Sequence, residues 1–127
     1  MRMARVLDYL HATGTRAVNA QIDVDEIWGL TGIEAALLVR QQYARRLRLN
    51  IVAFPQHGMN ANVRTMLQDA ASLGVDGIGG HTDLDQDWMS HLASVAEIAS
   101  SRGLWVDIHT DETASAQSYR LPGVVEV

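Results

Sequence analysis

The sequence predicts an α/β fold of a particular kind: a parallel (β/α) half-barrel, partial and TIM-barrel-like, with about four strands and four helices. Three observations carry this. Helical and strand patterns alternate four times along 127 residues, which implies a parallel sheet with right-handed crossovers. The strand segments are apolar on one face and partly polar on the other, whereas a doubly wound sheet covered by helices on both sides should be apolar on both. The chain is also half the roughly 250 residues of a complete barrel.

The elements follow in order. In Arg2 to Thr13, Met3, Val6, Leu7 and Leu10 recur at helical spacing and Gly14 ends the stripe. Ala17 to Asp23 reads as a strand. Thr31 with Glu34 three residues on has the form of a capping box, opening a helix to about Arg46 that buries Ile33, Leu37 and Leu38. Leu49 to Phe54 is the second strand, closed by Pro55. Val63, Met66, Leu67, Ala70 and Ala71 make a third helical stripe stopped by Gly74, and Val75 to Gly79 reads as a glycine-weakened strand. Asp85 or Asp87 caps a helix carrying Trp88, Leu92, Val95 and Ile98, which Gly103 ends before the strand Leu104 to His109. This gives one half-barrel unit over residues 1–113. Residues 114–127 carry no clear period and read as a C-terminal tail or an added edge strand.

Side-chain parity orients the strands, because successive residues point to opposite faces. Val18, Ala20 and Ile22 oppose Asn19, Gln21 and Asp23; Leu49, Ile51 and Ala53 oppose Asn50, Val52, Phe54 and Gln56; Val106 and Ile108 oppose Trp105, Asp107 and His109. The polar set faces a lumen or cleft. In such a half-barrel the outer strands are open edges and Val52 and Phe54 are exposed, so self-association as a homodimer or higher oligomer is expected.

Net charge −5 and a pI near 5.4, with no basic cluster beyond Arg45, Arg46 and Arg48, argue against nucleic acid as a partner. No apolar run has the length of a membrane span, and Asp8 and His11 interrupt the first segment as a secretory leader would not allow. A cytoplasmic protein is the default. With no cysteine, disulfides and thiolate metal sites are excluded.

The chemistry-bearing segment is His109-Thr-Asp-Glu112, at a strand end where α/β folds place their sites. A histidine offers a metal a neutral nitrogen, and a carboxylate three residues on can manage the proton of a metal-activated water. A solvated turn has the same composition. Gln56 after Phe-Pro reads as a turn amide, His57 as loop surface, and His11 and His91 as solvated helix positions. His81, in Gly-Gly-His at a strand end, is the only other histidine placed to approach a site. Asp23 and Asp25 end the first strand and read as caps of the next turn.

Four blocks in order, Gln21-Ile-Asp-Val-Asp25, Ile51-Val-Ala-Phe-Pro-Gln-His-Gly58, Leu73-Gly-Val-Asp-Gly-Ile-Gly-Gly80 and Val106-Asp-Ile-His-Thr-Asp-Glu112, resemble the middle of a cytosine-deaminase-type member of the amidohydrolase superfamily. These are metal-dependent hydrolases on a (β/α)8 barrel. The resemblance runs from about Arg5 to Thr113 and covers about half such a barrel. It implies Gln56 as the amide that binds the substrate, His109 as a metal ligand, Glu112 as the catalytic proton shuttle, and zinc or iron as the metal. The departures are also plain. The family's His-x-His pair and its later histidine and aspartate have no counterpart, and Gln21 stands where the family often shows histidine. One expected ligand does not hold a catalytic metal, so a metal is expected to be absent or weakly bound. Two expectations result: a non-catalytic scaffold that oligomerises or binds a small molecule, or a hydrolase whose site a second chain completes.

Overall fold

The structure is a computed structural model, and residues 2–126 are described. Helices and strands alternate as α1 (Arg2–Ala12), β1 (Ala17–Asp23), α2 (Thr31–Tyr43), β2 (Arg48–Phe54), α3 (Ala61–Leu73), β3 (Gly77–His81), α4 (Trp88–Arg102) and β4 (Trp105–His109), followed by α5 (Leu121–Glu126). The four strands form one parallel sheet in the order β1-β2-β3-β4. Each strand therefore lies beside its sequence neighbour, the arrangement of successive units of a barrel.

The apolar parity set builds the core. Leu49, Ile51, Ala53 and Ile78 are buried against Ile33, Ala36 and Val39 of α2, Val63, Leu67 and Ala70 of α3, and Val95 and Ile98 of α4. The opposite face is curled. β1 and β4 are three interstrand gaps apart, roughly 14 Å along a flat sheet, yet Gln21 of β1 bonds directly to Asp107 and His109 of β4. Only a concave sheet brings those side chains together. That face is better filled than the parity argument expects: Val52 and Phe54 are 0% and 1% exposed. The His109 ring meets Phe54 edge-on at 4.8 Å, and Trp105 lies over Gly77 in the row that holds Val52. The expected exposure of Val52 and Phe54 is corrected accordingly.

Other expectations change at element ends. β3 begins at Gly77 and runs through Gly80 to His81. Asp76 stays outside it, with its carboxylate accepting from Ile51 N at 2.8 Å and pairing with Arg40 at 2.9 Å. The glycines expected to weaken this strand are sites of close approach. A Cβ on Gly79 would sit 2.2 Å from Phe54 Cδ2, and one on Gly80 would sit 2.8 Å from His91 Nε2. Thr31 is the first helical residue of α2 and caps nothing; the N-cap position is Leu30. Leu38 and Val6 face solvent. Asn60 and Asp87 cap α3 and α4 through their side chains, and Gly74 and Gly103 end them in the left-handed conformation.

Among the described residues the segment after β4 adds no strand. Ala116–Ser118 forms a 3-10 turn and α5 follows. Asp111, with φ 57°, presents its carboxylate to Arg120 N at 2.6 Å and Leu121 N at 3.2 Å. Gly123 lies so close to the Trp88 indole that a Cβ would approach it to 2.5 Å. These contacts seat the C-terminal turn against α4.

Candidate functional site

The carboxyl ends of the parallel strands bring the chemistry-bearing side chains to one edge of the concave face. His81 and His109 are register partners on β3 and β4, so they stand on the same side of the sheet, with ring centroids 5.9 Å apart. Gln56, just past β2, reaches His81: its Nε2 lies 3.0 Å from His81 Nδ1. An amide nitrogen only donates, so Nδ1 accepts and the imidazole proton sits on Nε2. That nitrogen is 2.9 Å from Glu112 Oε2.

His109 is arranged in the complementary way. Gln21 Nε2 is 2.8 Å from His109 Nε2 and 3.0 Å from Asp107 Oδ2. The ring therefore accepts at Nε2 and carries its proton on Nδ1, which lies 3.3 Å from Glu112 Oε1. Glu112 is thus flanked by an N–H from each of two histidines, and each histidine is oriented by a glutamine. The Glu112 backbone is held in turn by Asp83, whose Oδ2 accepts from its N at 2.9 Å.

Gln56, His109 and Glu112, singled out from the sequence, gather in one cluster. His81 is its buried centre, 7% exposed; its Gly-Gly-His position was the available signal. Gln21 and Asp107 complete the network; in the sequence they are marked by lumen parity and by their places in the first and last of the four resembling blocks. His57 is exposed, as expected, and Asp25 caps its turn by accepting from Ile27 N and Trp28 N, both at 2.8 Å. Beside the cluster a cavity is lined by Gln21, Ile22, Asp23, Trp28, Thr31, Gly32 and Ala35.

Beneath the cluster, on the helix side, His91 is 1% exposed rather than solvated. Its Nδ1 is 3.0 Å from Asp85 Oδ2, which also accepts from Met59 N at 2.9 Å. Burial pushes the His91 imidazole below its ordinary value, more strongly than Asp85 raises it. Burial also pushes Asp85 up, but the N–H groups of Met59 and Asp87 and the His91 ring outweigh it and hold the carboxyl below its ordinary value. The pair is a neutral imidazole donating to a carboxylate, and it ties the loop carrying Gln56 to α4.

The donor set does not fit a catalytic metal. Among the described residues, no group of three or more His, Asp or Glu side chains is disposed to hold one. The His109 nitrogen on the cleft side already accepts from Gln21.

Consecutive parallel strands, helices on one face and a polar cluster at the strand ends of the other define a partial (β/α) barrel. Comparison with known proteins agrees. The chain is similar in structure to the 5-methylcytosine deaminase of Klebsiella pneumoniae, with TM-score 0.89 and 30% identity over 96% of this chain and 30% of that one. It is likewise similar to the N-isopropylammelide isopropylaminohydrolase of Burkholderia multivorans, with TM-score 0.89 and 27% identity over 97% of this chain and 33% of that one. Among curated sequences it is 29% identical to the uncharacterized protein YahJ of Escherichia coli over 120 residues, 91% of this chain and 26% of that protein. No family model matches. The resemblance to cytosine-deaminase-like amidohydrolases therefore holds, over a chain that spans about a quarter to a third of the length of these proteins.

Proposed function

We propose that this chain is a deaminase-like amidohydrolase scaffold, non-catalytic by itself, that oligomerises or binds a small molecule at the concave face. The observation that carries the reading is the cluster itself. Gln56, His81, Glu112, His109 and Gln21 gather at one end of a sheet whose β1 and β4 outer edges pair with no other described strand. A (β/α) barrel closes all its edges, and two four-stranded halves about a two-fold axis would supply eight strands. Small-molecule binding would use the groups that are both donor and acceptor, the amides of Gln56 and Gln21, with Glu112 as the accessible carboxylate. No described helix is long and apolar enough to cross a membrane, which suits the cytoplasmic setting we assign.

The alternative is a metal-dependent hydrolase of cyclic amidines or amides, its ligand set completed by a second chain. The half-exposed Glu112 carboxylate favours it, since a group that shuttles protons must reach both nitrogen donors and solvent. The two readings separate in one assay. Purified protein supplied with zinc or iron(II) should release no ammonia from cytosine above background. Release that disappears in Glu112→Gln would establish the hydrolase instead.

A further inference from the structure

We infer that Gln21 acts as a built-in substitute for a cation at the mouth of the half-barrel, fixing the tautomer of His109 and withholding its lone pair from a metal. The Gln21 NH2 group lies 3.0 Å from Asp107 Oδ2 and 2.8 Å from His109 Nε2. These are two lone-pair donors of the kinds that bind divalent ions, an oxygen and an imidazole nitrogen. Between them stands a group with two hydrogens and no lone pair to offer. Each hydrogen meets one acceptor, so the NH2 group does what a bound cation would do: it holds the carboxylate and the imidazole of β4 together and neutralises their mutual repulsion of lone pairs.

A chain-borne substitute also has a structural effect. Gln21 is on β1 and its two acceptors are on β4, so the amide spans the concave face from one edge strand to the other. It fixes His109 with Nδ1–H toward Glu112. An imidazole in place of the amide would reverse the local chemistry, because it brings a lone pair where the amide brings N–H. Three donors, from positions 21, 107 and 109, would then converge where two now face a donor group. This inference concerns the cleft chemistry alone and is independent of whether the chain associates or has activity.

The test uses the full chain and zinc(II) as the probe, titrated against a chromophoric competitor, with folding checked by circular dichroism. Wild type should bind most weakly, Gln21→Leu somewhat tighter because it frees the His109 lone pair without adding a ligand, and Gln21→His tighter than wild type by on the order of tenfold or more, a gain that a further His109→Ala abolishes. In parallel, nitrogen-15 NMR of the His109 ring should show the Nδ1–H tautomer in wild type and a shift of Nε2 on Gln21→Leu. Zinc binding by wild type as tight as by Gln21→His, or a wild-type His109 protonated at Nε2 alone, would overturn the inference. Should Gln21→His fail to fold, the wild-type tautomer decides it.

Discussion

Gly79→Ala is the perturbation that probes the concave face most sharply. The added methyl carbon would lie 2.2 Å from Phe54 Cδ2, 2.9 Å from Cε2 and 3.1 Å from the Asp107 carbonyl oxygen. The Phe54 ring cannot simply swing away, since it is 1% exposed and His109 meets it at 4.8 Å. Overpacking of this kind costs about 1–3 kcal/mol, and two ring atoms plus backbone place this case at the upper end. The smaller entropy of the unfolded alanine chain returns about 0.4–1 kcal/mol. A net loss of about 2 kcal/mol remains, or roughly 8 °C in Tm at about 4 °C per kcal/mol for a domain of this size. Urea unfolding followed by circular dichroism measures it, and Phe54→Leu in the Gly79→Ala background should recover part of the loss. Stability unchanged within about 0.5 kcal/mol, or strict additivity of the two substitutions, would refute the reasoning. Phe54 would then not lie over Gly79, and the sheet would not curl as the seating of His109 requires.

Three further outcomes are expected. Acid should weaken the fold in two stages: the depressed His91 value favours the neutral ring in the folded state, so its contribution is complete above about pH 6.5 and is lost as pH falls below that. The depressed Asp85 contribution is present above the ordinary carboxylate value and is lost as pH falls through the folded one. Urea midpoints should therefore drop from pH 7.5 to 5.5 in wild type and drop less in His91→Leu; equal drops would contradict the neutral buried pair. Asp111→Ala removes the acceptor for Arg120 N and Leu121 N and should cost about 1 kcal/mol, read as faster tryptic cleavage after Arg120; an unchanged cleavage rate would show that the cap does not hold the C-terminal turn. Glu112→Gln should leave stability within about 0.5 kcal/mol, as expected for a carboxylate that is 49% exposed, and a loss above 2 kcal/mol would mark it as a structural keystone.

The fold was legible where local pattern and tertiary environment agree. β1 falls on Ala17–Asp23 and β4 ends at His109, as alternation dictates. β3 lies two residues later than the sequence pattern implies, since local propensity does not register that Gly79 and Gly80 make room for Phe54 and His91. Burial of His91 depends on Asp85 in a loop six residues earlier, a pairing that helical periodicity does not register. The C-terminal helix was invisible for the same reason: Asp111 and Trp88 hold it through contacts remote in sequence. Of the cluster, His109 and Glu112 are legible from a polar segment at a strand end, His81 from its like position, and Gln56 from the family resemblance alone. The role of Gln21 needed the curvature of the sheet, because its partners are 86 and 88 residues away.

We propose that the half-barrel covers its open edges with a second copy, and the mass of the particle in solution tests this most directly. Light scattering on the size-exclusion peak, across a micromolar concentration series, should give twice 13.9 kDa or a higher multiple, falling toward one copy on dilution. A sharp 13.9 kDa monomer throughout the series would contradict it and leave the four strands as a self-sufficient unit.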